Sequence, residues 1–136
     1  MKQSGLGWTT CDVDDATGTP QDVRNDLTNL QFSTPKATQD VTGIDKSAME
    51  RILLLADFSI TLNGVFNPDA GKGHSVFRTV PSTSVPRTTK LTVAGQTLIN
   101  ECLYTDYPLT RADSGELTYA VPGVLCDGTV PTWTAA

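Results

Sequence analysis

A single histidine, His74, and no Cys-x-x-C pair leave this chain short of the groups that most catalytic and metal sites use. A Ser-His-Asp triad needs a base. The one histidine stands in a Gly-rich turn, and no G-x-S-x-G elbow exists anywhere, so an exposed or cap-forming role is expected for it. The cysteines Cys11, Cys102 and Cys126 are odd in number and far apart. That argues against a zinc site or a disulfide framework and for reduced, half-buried packing residues. Charge is sparse at 18% of residues and aromatics at 7%. The ten bases are scattered singly, so no basic stripe exists to grip a nucleic-acid backbone. The longest apolar run, Ile52 to Ala56, is far below membrane length. The start Met1-Lys2-Gln3-Ser4 carries no apolar signal region, and a cytoplasmic site of synthesis is expected.

Other motifs fall short in the same way. Gly71-Lys72-Gly73-His74-Ser75 lacks the spacing of a phosphate-binding loop and reads as a polar turn. Asp12, Asp14 and Asp15 lack the glycine and the distal bidentate glutamate of a calcium loop, and read as a solvated acidic turn. Paired carboxylates for glycoside hydrolysis cannot be picked out among fifteen acids, and few aromatics are present to hold a sugar. Trp8 and Trp133 read as partial core anchors at a sheet margin. No enzyme, cofactor or metal is expected.

What is present is the composition of a β-rich protein. Thr, Ser, Gly and Pro fill the space between a 38% apolar fraction and the few charges, in one domain of 136 residues. Net charge is −5, and five acids lie between Asp12 and Asp26. Leu6 to Val13 reads as a first strand and Asp14 to Gln21 as a loop broken by Gly18 and Pro20. Leu27 to Ser33 alternates, with Leu30 and Phe32 on one side and Asn29, Gln31 and Ser33 on the other. Ala37 to Thr42 continues as a paired strand ending at Gly43.

Two readings compete for residues 47–56. Ser47-Ala48-Met49-Glu50 fits a helix capping box, and Arg51 to Leu55 fits a short buried strand. The strand is favoured because the next run is so clearly extended. In that run Phe58, Ile60 and Leu62 face one way, and Asp57, Ser59, Thr61 and Asn63 the other. A turn over 67–73 leads to a short helix over His74 to Val80. Thr88 to Val93 and Thr97 to Tyr104 flank an Ala94-Gly95-Gln96 hairpin turn. Leu117, Tyr119 and Val121 mark the last strong strand, before Pro122-Gly123 and an edge segment ending at Trp133. Seven or eight short strands and one small helix imply a mainly β fold, a β-sandwich or distorted barrel of two packed sheets.

The order of these segments resembles the major tail tube proteins of long, non-contractile-tailed (siphovirus-like) bacteriophages. The resemblance rests on Asn29 to Ser33, Gln39-Asp40-Val41-Thr42-Gly43, the strand into Asn67-Pro68-Asp69, the helix with Val76 and Phe77, and Gly115 to Trp133. It covers Leu27 to Trp133 and leaves residues 1–26 as a variable N-terminal arm and loop.

It implies two packed sheets with one helix, and self-assembly into rings, usually of six subunits, stacked into a tube of the virion tail. The implied partners are further copies, the tape measure protein, the tail terminator, the baseplate or tail tip proteins, and DNA in transient non-specific passage, with no membrane. Assembly would take place in the host cytoplasm. The rivals are a tail terminator or other tail or head accessory protein of similar fold, and a carbohydrate- or receptor-binding β-sandwich. The small polar rows Asn29, Gln31, Ser33 and Asp57, Ser59, Thr61, Asn63 suit a wet channel wall. Lys72, Arg78 and Arg111 are candidates to meet Asp12, Asp14 and Asp15 between stacked rings. Six copies at −5 each carry −30, a field screened beyond a Debye length of about 8 Å.

Overall fold

Alternating side chains set the architecture. In the computed structural model, which describes residues 1–135, a short 3-10 turn at Gly5–Gly7 leads into β1 (Trp8–Asp14) and β2 (Pro20–Asp22). β3 (Leu27–Ser33), β4 (Lys36–Asp40), β5 (Arg51–Ala56) and β6 (Ser59–Val65) follow. The lone helix, α1 (Gly73–Phe77), precedes β7 (Arg87–Val93), β8 (Gln96–Tyr104), β9 (Leu109–Arg111), β10 (Leu117–Leu125) and β11 (Thr134–Ala135). The protein is mainly β, with two sheets. A nine-stranded sheet has the path β2-β1-β7-β8-β10-β6-β3, with β9 added to β10 and β11 to β8, and β4-β5 form a separate two-stranded ribbon.

One face of the large sheet makes the core. Cys11 and Val13 of β1, Leu91 of β7, Leu98 and Cys102 of β8, Val121 of β10 and Ile60 and Leu62 of β6 are all buried, each at every second position of its strand. Each such aliphatic side chain contributes about 1.5–3 kcal/mol by leaving water. β1 and β3 lie five strands apart along the path, about 24 Å if the sheet were flat. Yet the Trp8 and Phe32 rings meet at 6.5 Å. The sheet therefore curls into a distorted barrel, and Phe32 also touches Phe58 and Trp133.

Helix α1 plugs this barrel. Phe77 packs on Tyr104, Tyr107 and Tyr119 at 5.7–6.0 Å between ring centroids. The buried carboxylate of Asp26 holds the helix in place, accepting from the Gly73 N–H at 2.8 Å and the Asn67 side-chain amide at 2.7 Å. Gly64 is required beside it, because a Cβ there would stand 2.5 Å from the Asp26 carbonyl and 2.6 Å from the Tyr119 hydroxyl. Arg87, only 1% exposed, donates to the carbonyls of Asp14 and Val76 at 3.0 Å and to the Thr79 hydroxyl at 2.9 Å. It ties β1, the helix and the following turn together without a carboxylate partner, and burial pushes its guanidinium below the ordinary arginine range.

Several expectations need correction. The loop expected over Asp14 to Gln21 ends early, since Pro20 and Gln21 already pair with Asp14 and Val13. The first strand expected within Leu6 to Val13 is β1, and with β2 it joins residues 1–26 to the main sheet. The last strand does not stop before Pro122-Gly123 but runs on to Leu125. Pro122 is tolerated because its carbonyl accepts from Thr105 N–H on the side where β9 has ended and β8 not yet begun. Its missing donor faces that gap. Cys11 and Cys102 are fully buried and Cys126 is exposed, so none of the three is half-buried. Residues 51–56 do form a strand, as favoured, but an exposed one.

Candidate assembly surfaces

The β4-β5 ribbon stands off the barrel. Its base is fixed where Asp57 N–H donates to the Pro35 carbonyl at 2.9 Å. Its far end is closed by Asp40, whose carboxylate accepts from the Thr42 amide at 2.9 Å and hydroxyl at 2.6 Å, while Thr42 Oγ1 accepts from Glu50 N–H at 2.7 Å. The Thr42 hydroxyl, and then its amide, hold the Asp40 carboxyl below the usual carboxylate range. The Asp40-Val41-Thr42 stretch is thus the clasp that turns the chain from β4 toward β5.

β5 reads Arg-Ile-Leu-Leu-Leu-Ala, and its four large apolar side chains all meet water: Leu55 is 92% exposed, Leu53 64%. An isolated two-stranded ribbon is marginal in water even without such a burden. Ile44 and Met49 extend the exposed apolar surface to the tip. The ribbon is therefore the least self-sufficient part of the molecule.

The outer face of the barrel is divided by chemistry. Across β3 and β6 the cross-strand partners are Asn29 with Asn63, Gln31 with Thr61, and Ser33 with Ser59. The last pair joins hydroxyl to hydroxyl at 3.2 Å. The sequence-based rows thus come together as one polar, uncharged surface. Asp57 stands apart, in the short link before β6, with its carboxylate accepting from Phe58 N–H. β10 continues the surface with Ala120, Pro122 and Val124, still without charge. Val124 then pairs with Leu103 of β8, and Ile99 lies further along the same face; these three are 40–51% exposed. Charge returns among them: Glu101 stands between Ile99 and Leu103 on β8, Lys90 opposes Ile99, and Asp12 opposes Lys90.

The other named residues are less gathered. Asp12 and Asp14 point outward from β1, while Asp15 folds back on its own loop. The Thr17 hydroxyl, then the Thr19 and Thr17 amides and the Gln21 side chain, hold the Asp15 carboxyl down at about 2. Lys72 stands at the N-cap position of α1 without a side-chain cap bond, and lies near enough to Asp22 of the same chain to help lower its carboxyl, after the dominant Arg24 contact at 3.0 Å. Arg78 and Arg111 are exposed and separate, one after the helix and one in β9. His74 is neither exposed nor a cap. Its Nδ1 lies 3.0 Å from the Tyr107 hydroxyl and its ring 4.7 Å from Phe66.

A cleft of about 370 Å³ opens between the start of β1 and β3, lined by Leu6, Trp8, Leu27 and Leu30. The buried indole N–H of Trp8 finds no acceptor among the described residues. Among those residues no three of His, Cys, Asp and Glu gather as a metal site would require. Sequence reasoning missed the outer apolar patch. The strand expected over Thr97 to Tyr104 gives Ile99 and Leu103 no role of their own, although they alternate with the core-facing Leu98, Asn100, Cys102 and Tyr104.

No family model and no curated protein matches this sequence. Solved structures do share its fold. One is the tail of an empty gene transfer agent particle, computed with helical refinement in C6 symmetry: TM-score 0.74, 17% identity, 98% of this chain and 100% of that one covered. Another is the virion of a native gene transfer agent particle, with TM-score 0.71, 17% identity and the same coverage. Over 98% of its length this chain is thus similar in fold to chains of gene transfer agent particles.

Proposed function

We propose that this chain, as a single domain, is a tail tube subunit of a phage-like particle: copies close into rings, and rings stack into a hollow tail. The observation that carries the reading is β5, a strand of large apolar side chains placed in water on a ribbon clasped at its tip. A monomer gains nothing from such a ribbon and risks aggregation through it. In a repeating assembly the same surface is covered by another copy. The shared fold with a C6-symmetric tail supports six subunits per ring. The uncharged Asn29, Gln31, Ser33, Ser59, Thr61 and Asn63 surface supplies a lumen wall that hydrates freely and offers DNA no cation to grip. Inside such a tube the tape measure protein would lie before DNA passes, with terminator and tail tip proteins at the ends. Lys72, Arg78 and Arg111 remain the candidates to face acidic residues of the next ring.

The test is negative-stain microscopy of the concentrated purified protein. Tubes are expected. Single rings that never stack would favour a tail terminator of the same fold, and persistent monomers that bind glycans would favour a receptor-binding module.

A further inference from the structure

We propose that Asp127 is a site of spontaneous isomerisation to isoaspartate, while Asn63, the residue that sequence alone would choose, is held inert by the sheet. The inference is independent of the tube reading. An asparagine or aspartate followed by glycine is the pair most prone to close a succinimide ring, because glycine has no Cβ to obstruct the attacking nitrogen. Two such pairs occur in the chain, Asn63-Gly64 and Asp127-Gly128. In a free peptide the asparagine pair closes faster, since an amide is attacked more readily than an ionised carboxylate.

The fold reverses that order. Asn63 and Gly64 lie in β6 between two partner strands: Asn63 opposes Asn29 of β3 and Ala120 of β10, and Gly64 opposes Leu27 and Tyr119. Ring closure needs the Gly64 nitrogen to swing over the Asn63 side chain, and that rotation breaks ladder bonds. Gly64 has no room to move toward the core, where the Asp26 carbonyl and the Tyr119 hydroxyl crowd its Cβ position.

Asp127-Gly128 meets none of these restraints. Both residues are exposed and follow β10 in the loop that leads to β11. Nothing stands within 4 Å of the Cβ position at Gly128. Among the described residues no backbone carbonyl accepts from the Gly128 N–H. The Thr129 N–H donates to Asp127 Oδ1 at 3.0 Å, which turns the carboxyl toward the chain that follows. That donor also faces the group on which negative charge gathers as the ring closes. Water reaches the loop from its inner side as well, through a cleft of about 280 Å³ lined by Asn100, Asp127, Thr129 and Thr132.

The chemistry needs only water. The Gly128 nitrogen gives up its proton and bonds to Asp127 Cγ, whose hydroxyl leaves as water. Water then opens the ring. Cleavage of the new C–N bond restores aspartate. Cleavage of the original peptide bond leaves the main chain running through the side chain, one methylene longer. Nothing is oxidised or reduced, and the mass is unchanged. The added length falls between two fixed points, the Cys126 N–H on the Glu101 carbonyl at 3.1 Å and the pairing of Thr134 with Thr97.

The experiment incubates the folded protein in water enriched in heavy oxygen, digests it in ordinary water and maps the peptides by mass spectrometry. An isoaspartate-specific methyltransferase marks the isomer. Heavy oxygen and methylation are expected at Asp127 and absent from Asn63. In denaturant Asn63 is expected to react too. Asp127→Glu, whose longer side chain would need a larger ring, should lose both signals from that peptide while melting as the wild type does. Three results would overturn the proposal: an Asp127 peptide free of both signals, an Asn63 that behaves alike in folded and denatured protein, or signals that persist in Asp127→Glu.

Discussion

In the barrel, Phe58, Leu62 and Leu91 are sealed from water, whereas in the ribbon Leu53 and Leu55 lie largely in it. Both regions are built from alternating strands with large apolar residues, and both are antiparallel. They differ in what closes over them. The barrel curls until Trp8 reaches Phe32, and α1 fills it under the Asp26 clamp. The ribbon has a base and a clasp but no cover. Apolar content alone therefore says little about where stability resides. In the barrel it is stored within one chain, and in the ribbon, on the proposed reading, it would be released only when chains meet.

Substitutions should separate the two regions sharply. Phe58→Ala in the barrel is expected to cost about 3–5 kcal/mol of monomer stability, whereas Leu55→Ala in the ribbon should stay within about 0.5 kcal/mol. Chemical denaturation of dilute protein measures both, and equal costs would erase the contrast. Next in size is Arg87→Met. It leaves the Asp14 and Val76 carbonyls and the Thr79 hydroxyl without their donor, at about 1–3 kcal/mol, read from the same denaturation curves.

A gain is expected at the β7-β8 hairpin. Ala94 has φ 51° and Gly95 φ 79°, the pair of left-handed conformations of a two-residue turn. Ala94→Asn should stabilise the barrel by about 0.5–1 kcal/mol, because asparagine tolerates that conformation better; an unchanged or lower melting temperature would count against it.

The smallest effect concerns pH. The Asp15 carboxyl is depressed to about 2 in the folded chain, chiefly by the Thr17 hydroxyl. Its stabilising effect is therefore full above the unfolded value of about 3.9 and is lost as pH falls through about 2. The Thr17 and Thr19 amide resonances should shift in that window and nowhere near neutrality, and Asp15→Asn should abolish the shift.

Much of the barrel was legible beforehand because its strands obey a period of two over enough residues. Leu27 to Ser33 and the run from Phe58 show it, and the Ala-Gly turn announces its hairpin. β2 and β9 span three residues each, too few for periodicity to register. Asp26 looked like one more member of an acidic stretch, since its partners Asn67 and Gly73 lie far along the chain. Arg87 left a trace that went unused: it shares its phase with Thr89 and Leu91, both core-facing. The fate of β5 was the hardest to read. A strand apolar on both sides predicts burial, and nothing in the sequence marks these side chains as exposed. Of the candidate surfaces, the polar rows on β3 and β6 were visible as alternation, but their union into one sheet face needed the strand register.

Hydrogen–deuterium exchange, compared between dilute monomer and assembled tubes, tests the central claim most directly. The account predicts that amides of residues 36–40 and 51–56 exchange fast in the monomer and slowly in tubes, while β7 and β8 are protected in both. Equally fast exchange of the ribbon in tubes, or full protection of it in the monomer, would contradict the claim that other copies complete this fold.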